Sequence, residues 1–200
     1  MVLLNYSKYI QERFSFRTYS LLTFSLWLII SYSGELGMNL ILPPLLFLSL
    51  FNFRLIDDLT DIRNDRINFP KRLLAKLESL TSFVVLSVLI HALITLALYI
   101  VQTPSIALVF TIYSGMLAFG CAILRSRTKL ETLPTLLSLS KYSFLIILFS
   151  HNSKREALVV MALFIIYEWF HDKRKNSKVM IGLGFSLLML SVGLYIAPLF

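Results

Sequence analysis

The chain holds a single cysteine, Cys121, among its 200 residues. An intramolecular disulfide is therefore excluded, and no Cys/His spacing of the zinc-binding kind exists. Charge is scarce as well. Only 15% of residues are Asp, Glu, Lys or Arg, against roughly 25% in an ordinary soluble domain. Acid is the scarcer sign, with 11 carboxylates against 19 Lys and Arg. Apolar–polar alternation of period two is missing, so nothing reads as a strand. No repeat, low-complexity tract or linker interrupts the sequence, and one domain over residues 1–200 is the simplest expectation. The first long apolar run starts only near Tyr19 and no small-residue cleavage site follows it, so no cleavable signal peptide is expected.

What is present is apolar mass. Hydrophobic residues make up 57% of the chain, with 16 Phe and 9 Tyr, and the mean hydropathy is +0.76. A spanning helix takes about 20 mostly apolar residues. Seven runs approach that length: Tyr19–Ser33, Met38–Phe53, Ser82–Val101, Ser105–Leu124, Thr132–Ser150, Ala157–Phe170 and Val179–Phe200. The expected fold class is an all-α integral membrane protein with about seven transmembrane helices. Pro43-Pro44 inside the second run predicts a kink there.

The net charge of +8 suits cytoplasmic loops rather than a nucleic acid, because Lys and Arg gather on the cytoplasmic side of membrane proteins. With the N-terminus inside, 16 of the 19 Lys and Arg fall in inside segments and two, Lys154 and Arg155, fall outside. Residues 1–18 then form a cytoplasmic N-terminal segment, and residues 54–78 a cytoplasmic, acid-rich loop–helix.

That loop–helix carries the chemistry. The chain has five aspartates, and four of them are Asp57, Asp58, Asp61 and Asp65. On a helix, Asp57, Asp61 and Asp65 line one face at i, i+4, i+8, drifting about 40° per step. Like charges so spaced repel, and a divalent cation removes the penalty. Mg²⁺, which binds through a few carboxylates, waters and substrate phosphates, suits the pattern. The bland alternative is a solvated helix whose acids pair with Arg54, Arg63 and Arg66.

Asp57-Asp58-Leu59-Thr60-Asp61-Ile62-Arg63-Asn64-Asp65 resembles the first motif of the UbiA-type membrane prenyltransferases, N-D-x-x-D-x-x-x-D, with Asp57 in place of the leading Asn. The following Phe69-Pro70-Lys71-Arg72 is similar to the basic, proline-containing run behind that motif. The second motif, D-x-x-x-D after the sixth span, has its counterpart in Glu168 and Asp172. Arg125 stands where the family has the lysine of a Tyr-x-x-x-Lys. The resemblance implies a UbiA-like bundle lacking the last two of the usual nine helices. It also implies Mg²⁺ held by Asp57, Asp61, Asp65, Glu168 and Asp172. Asp57, Asp58, Asp61 and Asp65 would be catalytic, and Arg63, Lys71, Arg72, Arg125 and Lys141 would bind the substrate diphosphate.

Lys141 also draws notice by itself, since a lysine within the fifth span is costly unless it meets a carboxylate, a phosphate or water. His91 reads as a neutral, hydrogen-bonded histidine and Cys121 as a packing residue. Gly182 and Gly184 are expected to admit a close helix neighbour. The expected function is Mg-dependent transfer of an isoprenoid group from its diphosphate to an unidentified acceptor in the bilayer. The alternatives are a terpene cyclase of the same architecture and a catalytically weakened subunit that binds a lipid or a partner. A transporter fits less well, because paired mid-membrane charges and matched broken helices are mostly missing. Expected partners are the isoprenoid diphosphate, the bilayer and a second subunit, as a homo-oligomer or hetero-complex. No nucleic acid is expected.

Overall fold

The computed structural model describes residues 2–32, 39–127, 132–150, 154–171 and 178–196. Among them there are ten helices and no strand. In order these are α1 (Val2–Arg13), α2 (Phe16–Tyr32), α3 (Leu42–Thr60), α4 (Ile62–Asn68), α5 (Leu73–Lys76), α6 (Thr81–Val101), α7 (Pro104–Arg127), α8 (Thr132–Phe149), α9 (Lys154–His171) and α10 (Lys178–Ile196). Each of the seven apolar runs has most of its described residues on a helix of its own. Three of the helices are long and apolar enough to cross a membrane: Thr81–Val101, Pro104–Arg125 and Thr132–Phe149. α2, with 17 residues, is shorter, and α3 and α9 are diluted by charge at one end. The last two turns of α3 carry Arg54, Asp57 and Asp58, and the first turn of α9 carries Lys154, Arg155 and Glu156.

Pro43 and Pro44 do not kink α3. They sit in its first turn, where the backbone N–H groups have no intrahelical acceptor to lose and the fixed φ of proline is already helical. The expected bend is replaced by a helix start.

The chain divides into two compact units, one of Met1–Trp27 with Leu40–Arg125 and one of Leu28–Asn39 with Ser126–Phe200. In the first, α3 packs along α6, and α1 and α4 each pack on α5. Tyr9, Leu55, Leu74 and Phe83 form a buried cluster that ties these elements together. Its aromatic rings meet edge to face, Tyr6–Phe83 at 5.0 Å and Tyr9–Phe83 at 5.4 Å between centroids, the arrangement favoured by the ring quadrupoles. The Tyr6 hydroxyl donates to the Ser82 carbonyl at 3.0 Å and so holds α1 at the start of α6. The outer faces of α6 and α7 are apolar. Val84, Val88, Leu89, Leu93, Leu96 and Ile100 are exposed on one, and Leu108, Ile112, Met116 and Phe119 on the other. An exposed apolar stripe along helices of this length matches a lipid-facing surface.

In the second unit α9 packs on both α8 and α10. Leu139, Ile165 and Met180 are its buried centre, and Tyr142 stacks on Phe164 at 3.8 Å. A Cβ on Gly184 would lie 2.9 Å from Ile166 Cγ1 and 3.5 Å from the Ala162 carbonyl oxygen, so α10 reaches α9 closely here because the residue is glycine. Gly182 has open space instead, and the expectation of a close neighbour holds for one of the two glycines.

Candidate functional site

The four aspartates stand at the end of α3 and on α4. The helix is interrupted at Asp61, which closes α3 and opens α4 with φ −94° and ψ 4°. The i→i−4 ladder nevertheless runs through the break. The Asp61 N–H donates to the Asp57 carbonyl at 3.0 Å, the Asp65 N–H to the Asp61 carbonyl at 3.0 Å and the Phe69 N–H to the Asp65 carbonyl at 2.8 Å. Asp57, Asp61 and Asp65 therefore keep the common face that their spacing predicts.

Asp58 points elsewhere and is buried, its side chain 4% exposed. Three side chains clasp it. Arg13 donates from Nε to Oδ2 at 3.1 Å and from Nη2 to Oδ1 at 2.5 Å, a two-pronged guanidinium–carboxylate pair. Arg54 approaches Oδ1 from one turn earlier at 3.3 Å. The Tyr9 hydroxyl donates to Oδ2 at 2.9 Å. Burial alone would push this carboxyl up. The Arg13 hydrogen bonds, the positive charges of Arg54 and Arg13, and the Tyr9 hydroxyl outweigh it and hold the group below the usual carboxylate range. On the other side of the same bond, burial and the Asp58 charge push the Tyr9 phenol well above its ordinary value.

Asp65 is buried and pairs with Arg72, whose guanidinium also lies over the Phe69 ring, 3.8 Å from its centroid. Asp61 is the most accessible of the four, its side chain 31% exposed. Arg125 Nε stands 3.7 Å from its Oδ1, and the Asn64 amide is 3.5 Å from Oδ2. Arg125 also crosses from the end of α7 to bind backbone. Its Nη1 donates to the Asp57 carbonyl at 2.8 Å and to the Thr60 hydroxyl at 2.5 Å. Asp57 is buried, and its carbonyl collects the Asp61 N–H, the Thr60 hydroxyl at 3.0 Å and Arg125.

The site is thus an alternation of acid and guanidinium contributed by α1, α3, α4, the α4–α5 connection and α7. Asp57, Asp58, Asp61, Asp65, Arg72 and Arg125 come together in it. Arg63 and Lys71 lie exposed beside it. Arg66 turns away and donates to the Leu77 carbonyl at 3.2 Å, so of the three arginines expected as partners of the acids only Arg54 takes part. Lys141 and Glu168 belong to the second unit. Lys141 is buried on α8, its Nζ 3.4 Å from the Ser138 hydroxyl and 5.3 Å from the Tyr142 ring centroid, and Glu168 is half-buried on α9. Asp172 lies outside the described residues.

Magnesium demands near-octahedral oxygen ligands at about 2.1 Å. Among the described residues no three His, Cys, Asp or Glu side chains gather so as to hold a metal ion. Asp58 and Asp65 are filled by arginine, and as they stand the carboxylates do not fit a magnesium cage. The clasp by Tyr9 and Arg13 is the part of the site that sequence reasoning missed. Its signal is the i, i+4 spacing of those two residues on α1, which puts a phenol and a guanidinium on one helix face. No known protein family, curated protein or solved structure matches this chain.

Proposed function

We propose that the chain is a UbiA-type, seven-span membrane protein that transfers an isoprenoid group from its diphosphate to an acceptor in the bilayer, with its N-terminus and acid-rich motif in the cytoplasm. The observation that carries the reading is the common face of Asp57, Asp61 and Asp65, ringed by guanidinium groups, at the end of an apolar helix. The isoprenoid tail is apolar and belongs among spans. The diphosphate is strongly anionic and belongs where cations gather at their ends. Transfer breaks the allylic C–O bond. The electron pair leaves with the diphosphate oxygen, the carbon forms a bond to the acceptor nucleophile, and the acceptor gives up a proton. Preorganised cations facing the leaving group lower the barrier to that charge separation. Arg125 and Arg72, with the exposed Arg63 and Lys71, are the cations this chain supplies. The motif resemblance brings magnesium with it, whereas the acids as placed are matched to arginine.

That same matching favours a second reading, a membrane subunit that binds an isoprenoid lipid or a partner without turnover. Purified protein in detergent, incubated with isoprenoid diphosphates of graded length with and without Mg²⁺, separates the two by diphosphate release. Release that depends on the donor supports transfer. A donor-dependent thermal shift without release supports the binding subunit. Neither signal from any donor overturns both.

A further inference from the structure

A cavity of about 510 Å³ opens on the first unit between α1 and the start of α5, lined by Lys8, Gln11, Glu12, Lys71, Leu73 and Lys76. We propose that it is a binding site for the phosphate of an anionic lipid headgroup. Three lysines face one opening from two separate stretches of chain, one from α1 and two from around α5. Among the described residues none of the three makes an ion pair, in contrast to Arg13, Arg54, Arg72 and Arg125, which stand on carboxylates. The one acid in the lining is already engaged, since the Glu12 carboxylate accepts the Leu73 N–H at 3.0 Å. That bond fixes the distance between α1 and α5, and with it the separation of Lys8 from Lys71 and Lys76.

The chemistry of the lining selects the ligand. Ammonium groups on flexible stems are compact point charges suited to a phosphate oxygen rather than to planar, two-pronged recognition. No aromatic ring lines the cavity, so a nucleobase finds nothing to stack on. The source of the phosphate follows from the neighbours on α1. Leu4 lies one turn before the lysine on the exposed side of the same helix, and Phe16 follows at the start of α2. Exposed apolar side chains beside lysines are the composition of a helix lying in the interface of a bilayer, and juxtamembrane lysines draw anionic headgroups. This site shares Lys71 alone with the cations beside the Asp57–Asp65 face, and its test on Lys8 and Lys76 does not depend on prenyl transfer.

The test uses the full chain in detergent and reads thermal shift against three probes: dioctanoyl phosphatidic acid, dioctanoyl phosphatidylcholine and inorganic phosphate. Phosphatidic acid is expected to stabilise the wild type and phosphatidylcholine to do nothing. Each lysine removed should weaken apparent affinity about fivefold, and Lys8→Gln with Lys76→Gln roughly 25-fold. The charge-keeping pair Lys8→Arg with Lys76→Arg should bind nearly as the wild type and guards against a loss caused by misfolding. Equal shifts by inorganic phosphate, lost in the same variant, would support the phosphate site and move its source from lipid to solution. No shift by either phosphate probe, or equal shifts in wild type and the Gln variant, would overturn the proposal.

Discussion

Arg125, in the last turns of α7, donates to the backbone carbonyl of Asp57 at 2.8 Å although 68 residues separate the two. The same guanidinium reaches the Thr60 hydroxyl and stands 3.7 Å from the Asp61 carboxylate. One side chain therefore spans the point where α3 stops and α4 begins. The Asp57 carbonyl already accepts the Asp61 N–H and the Thr60 hydroxyl, so Arg125 adds a third, charged donor that ties the break to α7. Replacing Arg125 by Gln removes the reach and the charge together. The expected cost is about 1.5–3 kcal/mol, the range of a hydrogen bond involving a charged group. Amide hydrogen exchange should quicken at Asp61 to Asp65 and stay unchanged in α6. Uniform quickening, or none, would remove Arg125 from the junction.

The clasp on Asp58 predicts a larger effect. Asp58→Asn leaves Arg13 and Arg54 facing a neutral amide in a half-buried place, and losing one partner of a buried pair costs about 3 kcal/mol or more. Arg13 is 17% exposed and Arg54 29%, so solvent reduces this figure. Tyr9→Phe removes one donor to the same oxygen, and about 1.5 kcal/mol is expected. Thermal unfolding in detergent ranks the variants. Asp58→Asn as mild as Tyr9→Phe would show the clasp to be incidental.

The acid limb of stability follows from the same group. Because the folded state holds the Asp58 carboxyl below its ordinary value, the unfolded chain takes up the proton first as pH falls. The stabilisation is complete above the ordinary carboxylate range, near pH 4, and is lost as pH drops through the depressed folded value. The gap in Tm between wild type and Asp58→Asn should be constant from pH 7 to pH 5 and narrow below pH 4. A gap that widens on acidification would reverse the sign of the argument.

How far the sequence reached differs by element. Hydropathy runs located α2, α3 and α6 to α10, because an apolar stretch of that length has few other ways to satisfy its backbone in lipid. The common face of Asp57, Asp61 and Asp65 was legible for the same reason, since helical spacing is a local property. Pro43-Pro44 was misread because a run of apolar residues does not say where within it the helix begins. The arginine partners were legible only where they were local. Arg54 lies four residues from Asp58, but Arg13 is 45 and Arg125 is 68 residues from the group it binds, and such pairings depend on how helices pack. The two short helices α4 and α5 carry too few residues for any periodicity.

Topology gives a prediction on the three helices best suited to span. If α6 crosses the bilayer, residues before Thr81 and residues between Val101 and Pro104 lie on opposite sides. On a Cys121→Ser background, Ser79→Cys and Gln102→Cys should react with an impermeant maleimide from opposite faces of sealed vesicles. With the positive-inside bias, Ser79→Cys is expected on the cytoplasmic face. Labelling of both positions from one face would remove α6 from the spanning set.

The last prediction concerns Asp61, the one acid of the group with both exposure and a loose partner. Two opposing terms act on it. Like charges one helical turn apart, at roughly 6 Å, repel by about 0.7 kcal/mol in bulk water and by about 2.8 kcal/mol at an effective dielectric of 20. Against this stands the ion pair with Arg125 at 3.7 Å, worth up to about 1 kcal/mol for a partly exposed pair. Asp61→Asn removes both, so the unliganded protein should range from nearly unchanged to about 2 kcal/mol more stable. Its response to ligand should change far more. If Asp61 helps hold a magnesium ion for an isoprenoid diphosphate, as the motif resemblance implies, the Mg²⁺-dependent part of the thermal shift that geranylgeranyl diphosphate gives the wild type should be lost in Asp61→Asn. A purely structural Asp61 predicts equal shifts in both proteins. Equal shifts would move the diphosphate away from this face, and a strongly destabilised Asp61→Asn without ligand would show the Arg125 pair to outweigh the repulsion.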